Sequence, residues 1–290
     1  MNVAERQKPA PGELFLDHVA HFVPDLGAAG RLAESLGFVV TPESAHRAQG
    51  GPAGTSNRCI MLEQGYVEIL APTLDTPNAR RVRAAMARYD GVHLACFGTP
   101  DAEAEHRRLA AHGFEPEERV RLERELDVNG RTGTVRFNVV YVPPERMPEG
   151  RIQYVQQLTP EQIWQPRYLK HANGVVGLSA LYVAADDPAA TAARWARFAG
   201  LLPFPVKDQV ELRAARGKVI VGTGKSLVKL LGKVPPAPGI AGYGLACADV
   251  KAFLSRCRKA GLQARNRAVI LPPELGGAWL LEPHRPAAST

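Results

Sequence analysis

One pattern recurs four times in this chain and limits its fold more than any other feature. An apolar run reaches an aspartate, a helix-compatible stretch follows, and a glycine trailed by an apolar residue closes it. The aspartates are Asp25, Asp101, Asp187 and Asp249 and the glycines Gly37, Gly113, Gly200 and Gly261, so the spacings are 12, 12, 13 and 12 residues. An aspartate side chain accepts bonds from the free amides at a helix start, and a glycine takes the left-handed conformation that ends one. Each interval therefore predicts a helix of about three turns. The fourth shows the expected two faces, with Val250, Phe253, Leu254 and Cys257 at helical spacing and Lys251, Arg256, Arg258 and Lys259 on the other side.

A strand candidate precedes each helix, over 18–23, 92–97, 181–185 and 243–247, and further strands follow. In the first copy these are 38–40, 58–62 and 66–70, the last two separated by Glu63-Gln64-Gly65. One such strand, helix, three-strand unit buries a single face of a small sheet, so units are expected to pair and curve around a shared cavity. The predicted fold is α+β, four βαβββ modules in two domains, each a curved mixed sheet around a cavity. A chain of 290 residues is long enough for two cores. Pro160, Pro166 and the turn-forming Asn173-Gly174 interrupt regular structure between the second and third modules, which places the domains at 1–174 and 175–290.

Composition removes several alternatives. No apolar run approaches the roughly 18 residues of a membrane span, and the Met1-Asn2-Val3-Ala4-Glu5-Arg6 start lacks the order of a signal peptide, so a soluble cytoplasmic protein is expected. Cys59, Cys96, Cys247 and Cys257 form no CxxC pair, which speaks against a zinc ribbon or a disulfide framework. The net charge of +7 suits an anionic small molecule. Basic residues are spread along the chain without an aromatic platform or recognition helix, so nucleic acid is not an expected partner. The run Gly222-Thr223-Gly224-Lys225-Ser226 lacks the first glycine of a phosphate loop, since position 219 is Val219. It is read as a hairpin turn leading to a last strand over 227–231.

Candidate chemistry gathers in the first two modules. His18 stands seven residues before Asp25 and His93 eight before Asp101, near one point of the repeat where the later modules offer Ser179 and Gly242. The last strand of the first module, Tyr66-Val67-Glu68-Ile69-Leu70, sets a carboxylate among apolar neighbours, where burial is costly without a partner. A metal ion would be such a partner. The matching strand of the second module, Arg151-Ile152-Gln153-Tyr154-Val155, puts Gln153 opposite Glu68, and a slip of register would bring Gln156 or Gln157 there instead. The His93-to-Gln153 interval is ten residues longer than His18-to-Glu68, and a polar loop around 124–131 or 143–149 would hold the excess.

The modules, together with Leu16-Asp17-His18-Val19, Gly54-Thr55-Ser56-Asn57-Arg58, the Glu68 strand and the segment from Thr159-Pro160-Glu161 to His171-Ala172-Asn173-Gly174, resemble the vicinal oxygen chelate superfamily. Within that glyoxalase, bleomycin-resistance and extradiol-dioxygenase fold, the resemblance is to the glyoxalase-like branch. It implies a divalent ion (Zn, Ni, Co, Mn or Fe) on His18, Glu68, His93 and Gln153, with open positions for a substrate bearing adjacent oxygens. It further implies a lyase or isomerase that stabilises an enediolate-like anion, with Glu68 as the base and Asn57 and Arg58 as candidate substrate contacts. Two other readings share the fold, an iron-dependent ring-cleaving dioxygenase and a non-catalytic small-molecule-binding protein. The last two modules are expected to be a degenerate pair that covers the active pair or forms a homodimer surface.

Overall fold

The computed structural model describes residues 2–48, 51–128 and 130–284. The first module comprises β1 (Phe15–Phe22), α1 (Leu26–Ser35), β2 (Ser44–Ala48), β3 (Gly51–Met61) and β4 (Tyr66–Pro72). A connecting helix α2 (Pro77–Met86) leads to the second, with β5 (Gly91–Gly98), α3 (Ala102–Ala111), β6 (Val120–Val128), β7 (Arg131–Tyr141) and β8 (Arg151–Gln157). The short helix α4 (Pro160–Ile163) and a 3-10 turn (Pro166–Tyr168) precede the third module, which is β9 (Val175–Ala184), α5 (Pro188–Ala199), β10 (Pro203–Val206), β11 (Gln209–Arg213) and β12 (Lys218–Gly222). A second connecting helix, α6 (Gly224–Leu231), is followed by β13 (Gly239–Cys247), α7 (Val250–Lys259), β14 (Gln263–Arg265), β15 (Ala268–Ile270) and β16 (Ala278–Pro283).

The four aspartates act as the repeat predicts. Their side chains accept from the backbone N–H of Ala28, of Glu103 and Ala104, of Ala190 and of Ala252. At the other ends Gly37, Gly113, Gly200 and Gly261 all have positive φ, between +67° and +88°. Within each module the first strand lies parallel to the last, and the paired first strands β1 and β5, like β9 and β13, run antiparallel. Modules one and two close into a barrel in the order β1-β4-β3-β2-β6-β7-β8-β5, sealed by β2 against β6. Modules three and four form an open sheet, β10-β11-β12-β9-β13-β16-β15-β14.

Three segments depart from the sequence reading. Residues 38–40 are not a strand, because Phe38 and Val40 turn into the core and the Val39 N–H donates to His171 Nδ1 (3.0 Å) in the inter-sheet connection. Residues 227–231 belong to helix α6, and the last strand of the third module is 218–222. Thr223 caps that helix through Oγ1, and Leu227 and Leu231, four apart, are both fully buried. Residues 124–128 and 131 are no loop but part of the long β6–β7 hairpin. The extra length of the module is shared between that hairpin, 120–141 against 44–61, and the connection 142–150, against 62–65 in the first module.

The two sheets share one core. Phe38 meets Phe253 and Trp279 edge-on at 5.6 and 5.7 Å between ring centroids, and Phe97 meets Trp195 and Phe198 at 6.2 and 6.1 Å. A second cluster fills the other face of the open sheet, where Leu227 and Leu231 of α6 lie against Tyr182, Ile220 and Leu280. Leu231→Ala is expected to lower stability by about 3 kcal/mol in urea denaturation. A change below about 1 kcal/mol would show that α6 does not fill this face. Among the described residues no helix is long and apolar enough to cross a membrane.

Candidate functional site

The barrel encloses a cavity of about 290 Å³ whose polar wall includes His18, His46, Asn57, Glu68, Arg124, Arg151 and Gln153. Strand register explains how His18, Glu68 and Gln153 meet. His18 lies opposite Tyr66 and Cys96, while Glu68 pairs with Ala20 and Gln153 with Cys96. The sequence β4, β1, β5, β8 around the barrel thus carries Glu68, His18, Cys96 and Gln153 on adjacent strands.

The same register sets His93 apart. Asp25 and Asp101 stand 76 residues apart, so the residue matching His18 is Leu94, which lines the cavity; His93 matches Asp17. Neighbouring strand residues face opposite sides, and the difference between seven and eight residues therefore turns His93 away. Its Nε2 donates to the Tyr89 carbonyl (2.8 Å), its ring stacks on Tyr89 and Phe22, and burial pushes its pKa down to about 4. Arg58 is turned out for the same reason. Its guanidinium donates to the Thr41 carbonyl (2.9 Å) and to Glu34 (2.7 Å), whereas its neighbour Asn57 points into the cavity.

Glu68 is held at the end of a hydrogen-bonded chain. Arg124 Nη1 donates to Asn57 Oδ1 (3.0 Å), and Asn57 Nδ2 donates to Glu68 Oε1 (2.5 Å). His46 Nε2 lies 3.5 Å from the same oxygen, which leaves Oε2 as the carboxylate oxygen without a named contact. Burial alone would raise the carboxyl pKa, but His46, His18, the Asn57 bond and Arg124 outweigh it and Glu68 stays ionised. Burial drives His46 the other way, to about 4, so its imidazole is neutral. His18 donates through Nδ1 to Asp17 (2.6 Å), which fixes the orientation of the ring. Burial opposes charging of His18, yet Cys96 and Asp17 raise its pKa well above the ordinary imidazole value. Gln153 Nε2 contacts Cys96 Sγ (3.7 Å), and its buried Oε1 has no partner.

A divalent ion would find three donors here, His18 Nε2, Glu68 and Gln153 Oε1, one fewer than the four positions of the paired modules because Leu94 takes the fourth. Among the described residues no three His, Cys, Asp or Glu side chains are grouped to hold an ion by themselves. The braced imidazole and the partnerless amide oxygen nevertheless suit a three-ligand site with open positions. The second module pair keeps none of this. Its matching positions are Ala180, Ile220, Gly242 and Leu280, all in the apolar face under α6 or beside it, and Glu282 pairs with Lys218 (3.6 Å) instead.

His46, Arg124 and Arg151 are site residues that the sequence reading does not name. For Arg124 a signal exists: in β6 Val120, Leu122, Leu126 and Val128 alternate with Arg121, Glu123, Glu125 and Asp127, and Arg124 stands on the apolar, inward side of that alternation.

The chain belongs to the glyoxalase-like domain family, whose sequence profile matches residues 16–199. Its fold is that of the vicinal oxygen chelate superfamily, whose members usually use a divalent metal. A search of curated proteins finds no match. Among solved structures, a hypothetical protein from Staphylococcus aureus is similar at 14% identity and a TM-score of 0.66, covering 93% of this chain and 100% of its own. 4-Hydroxymandelate synthase from Streptomyces coelicolor, as a triple mutant, is similar at 15% identity and a TM-score of 0.55, covering 93% of this chain and 92% of its own. A xylose isomerase-like TIM barrel/4-hydroxyphenylpyruvate dioxygenase fusion protein gives 12% identity and a TM-score of 0.54 over 88% of this chain and 40% of its own.

Proposed function

We propose that the barrel cavity is the active site of a lyase or isomerase that takes a small anionic substrate with adjacent oxygens and removes a proton next to its carbonyl. The observation carrying this reading is an ionised, buried Glu68 facing a cavity that also holds Arg124 and Arg151. Glu68 and Arg124 balance, so Arg151 leaves the wall with a surplus positive charge for the substrate anion. Glu68 Oε2 takes the proton, and the Asn57 bond keeps Oε1 fixed while it does so. Neutral His46, 3.5 Å away, can accept that proton from the carboxyl and return it to another carbon or oxygen. His18, Arg124 and Arg151 favour the enediolate-like anion formed in between.

His18, Glu68 and Gln153 are the residues that would hold a divalent ion, Zn, Ni, Co, Mn or Fe. Such an ion would supply carbonyl polarisation and countercharge for the oxyanion. Metal content by elemental analysis is expected to fall in His18→Ala and Glu68→Ala and to stay unchanged in His93→Phe. Leu94→His supplies the missing second imidazole and is expected to raise metal affinity by about tenfold or more. Equal loss in His93→Phe would restore His93 as a ligand. An iron dioxygenase triad needs two imidazoles and a carboxylate, and Leu94 stands where the second imidazole belongs.

The test uses 2-oxobutyrate, an anion with adjacent oxygens and exchangeable C3 protons. Its deuterium uptake in D2O, followed by NMR, is expected to accelerate with protein present. Binding without exchange would make this a small-molecule-binding protein, and no binding would remove the cavity as its site.

A further inference from the structure

The barrel cavity does not end at its polar wall. A second chamber of about 520 Å³ adjoins it, and Arg81, Glu117, Tyr141 and Arg151 line both. Beyond that shared rim the walls are mostly apolar, with Phe22, Val82 and Ala85 on one side and Val142, Pro143 and Pro148 on the other, and Arg88 and Glu145 are the charged residues among them. The chamber lies between α2 and the 142–150 connection, which is longer than its counterpart 62–65 in the first module.

The internal repeat supplies a control for what this space means. The helices α2 and α6 both connect the two modules of a pair. Helix α6 presents Leu227 and Leu231 and fills the face of its sheet. Helix α2 buries only Ala79 and Val82, and turns the small side chains Ala84 and Ala85 toward the chamber. One connector closes its pair with leucines, and the other leaves room beside the polar site. Arg151 sits at the junction, stacked on Tyr141 with its guanidinium carbon 4.4 Å from the ring centroid and bonded to Asn78 Oδ1 (2.9 Å). A ligand anion held there has the polar cavity on one side and the apolar chamber on the other.

We infer that the substrate is an amphipathic anion, whose oxygen-bearing head enters the barrel cavity and whose apolar tail lies in the chamber between α2 and residues 142–150. This rests on the reading of the inner cavity as the substrate site. An apolar chamber that opened only to solvent would gain nothing from its proline and alanine lining, whereas a tail released from water there strengthens binding with each methylene.

The experiment titrates the full-length protein by calorimetry with straight-chain 2-oxo acids, from pyruvate through 2-oxobutyrate and 2-oxohexanoate to 2-oxooctanoate. Affinity is expected to rise roughly two- to fourfold per added methylene. Ala85→Trp, which fills the chamber from α2, should flatten that rise and leave 2-oxobutyrate binding unchanged; Pro148→Trp fills it from the opposite wall and should do the same if the first variant misfolds by circular dichroism. Short acids binding with no length dependence would overturn this inference and leave the inner site standing. A length dependence that survives both folded variants would place the tail elsewhere and overturn it too. Failure of every acid to bind would remove the inner site and the inference together.

Discussion

Acidification from pH 7 to 5 is expected to cost the fold about 6 kcal/mol through three buried histidines. His21, His46 and His93 are each depressed to about 4 by burial. Unfolded histidine titrates near 6.5, so below that value the unfolded chain binds protons that the folded chain refuses. The stability is present above the unfolded value and lost as pH falls toward the folded one. By linkage the loss reaches about 2 kcal/mol per histidine at pH 5. His18 runs oppositely, since its raised pKa gives stability below the unfolded value that is lost as pH rises through the folded one. Against a typical margin of about 5–15 kcal/mol, the net effect should appear as a steep fall in Tm between pH 6.5 and 4.5.

His93 separates this cause from general acid denaturation. His93→Phe keeps a ring against Tyr89 and Phe22 and gives up one bond to the Tyr89 carbonyl. The variant should be about 1 kcal/mol less stable than the natural chain at pH 7.5. At pH 5 it should be the more stable of the two, because it carries no proton penalty there. Parallel Tm curves for the two proteins would sink the assignment. His21 is the stricter case, as both ring nitrogens are occupied, Nδ1 by the Leu275 carbonyl and Nε2 by the Tyr243 hydroxyl, each at 2.9 Å.

The histidines also show where sequence reasoning stops. The repeat of aspartate and glycine is a local signal, read through caps that each helix makes with its own backbone, and it located the modules and their pairing. The site depends on which face of a strand is inward, and one residue decides that. His18 and Glu68 come to the cavity with Gln153, while His93, displaced by a single position in the repeat, packs outside it. Arg124 stands on the apolar side of β6, between Leu122 and Leu126 and opposite Glu123 and Glu125. Reading 124–131 as a polar loop hides that alternation, which the pairing of β6 with β2 and β7 makes plain. The misread 227–231 run fails for another reason. Leu-Val-Lys-Leu-Leu fits a strand or a helix, and the Thr223 cap with Gly232 at φ +79° settles it as a helix.

Glu68→Gln is expected to cut C3 proton exchange by about 10²- to 10⁴-fold, the usual contribution of a positioned base. The amide keeps the shape of the side chain and removes its charge, which leaves Arg124 buried without its countercharge. Binding of a 2-oxo acid should then hold or tighten, because the cavity becomes more positive while its base is lost. That separation of turnover from affinity is what a purely structural Glu68 would not produce. Leaving a buried cation unpaired also carries a folding cost of about 3–5 kcal/mol, so Glu68→Asp is the companion variant. It retains the charge opposite Arg124 and withdraws the carboxylate by one methylene, and it should fold normally with exchange reduced and binding intact. Exchange within tenfold of the natural rate in a folded Glu68→Gln would transfer the proton to another group, and His46, 3.5 Å from the carboxylate, would be the next to replace.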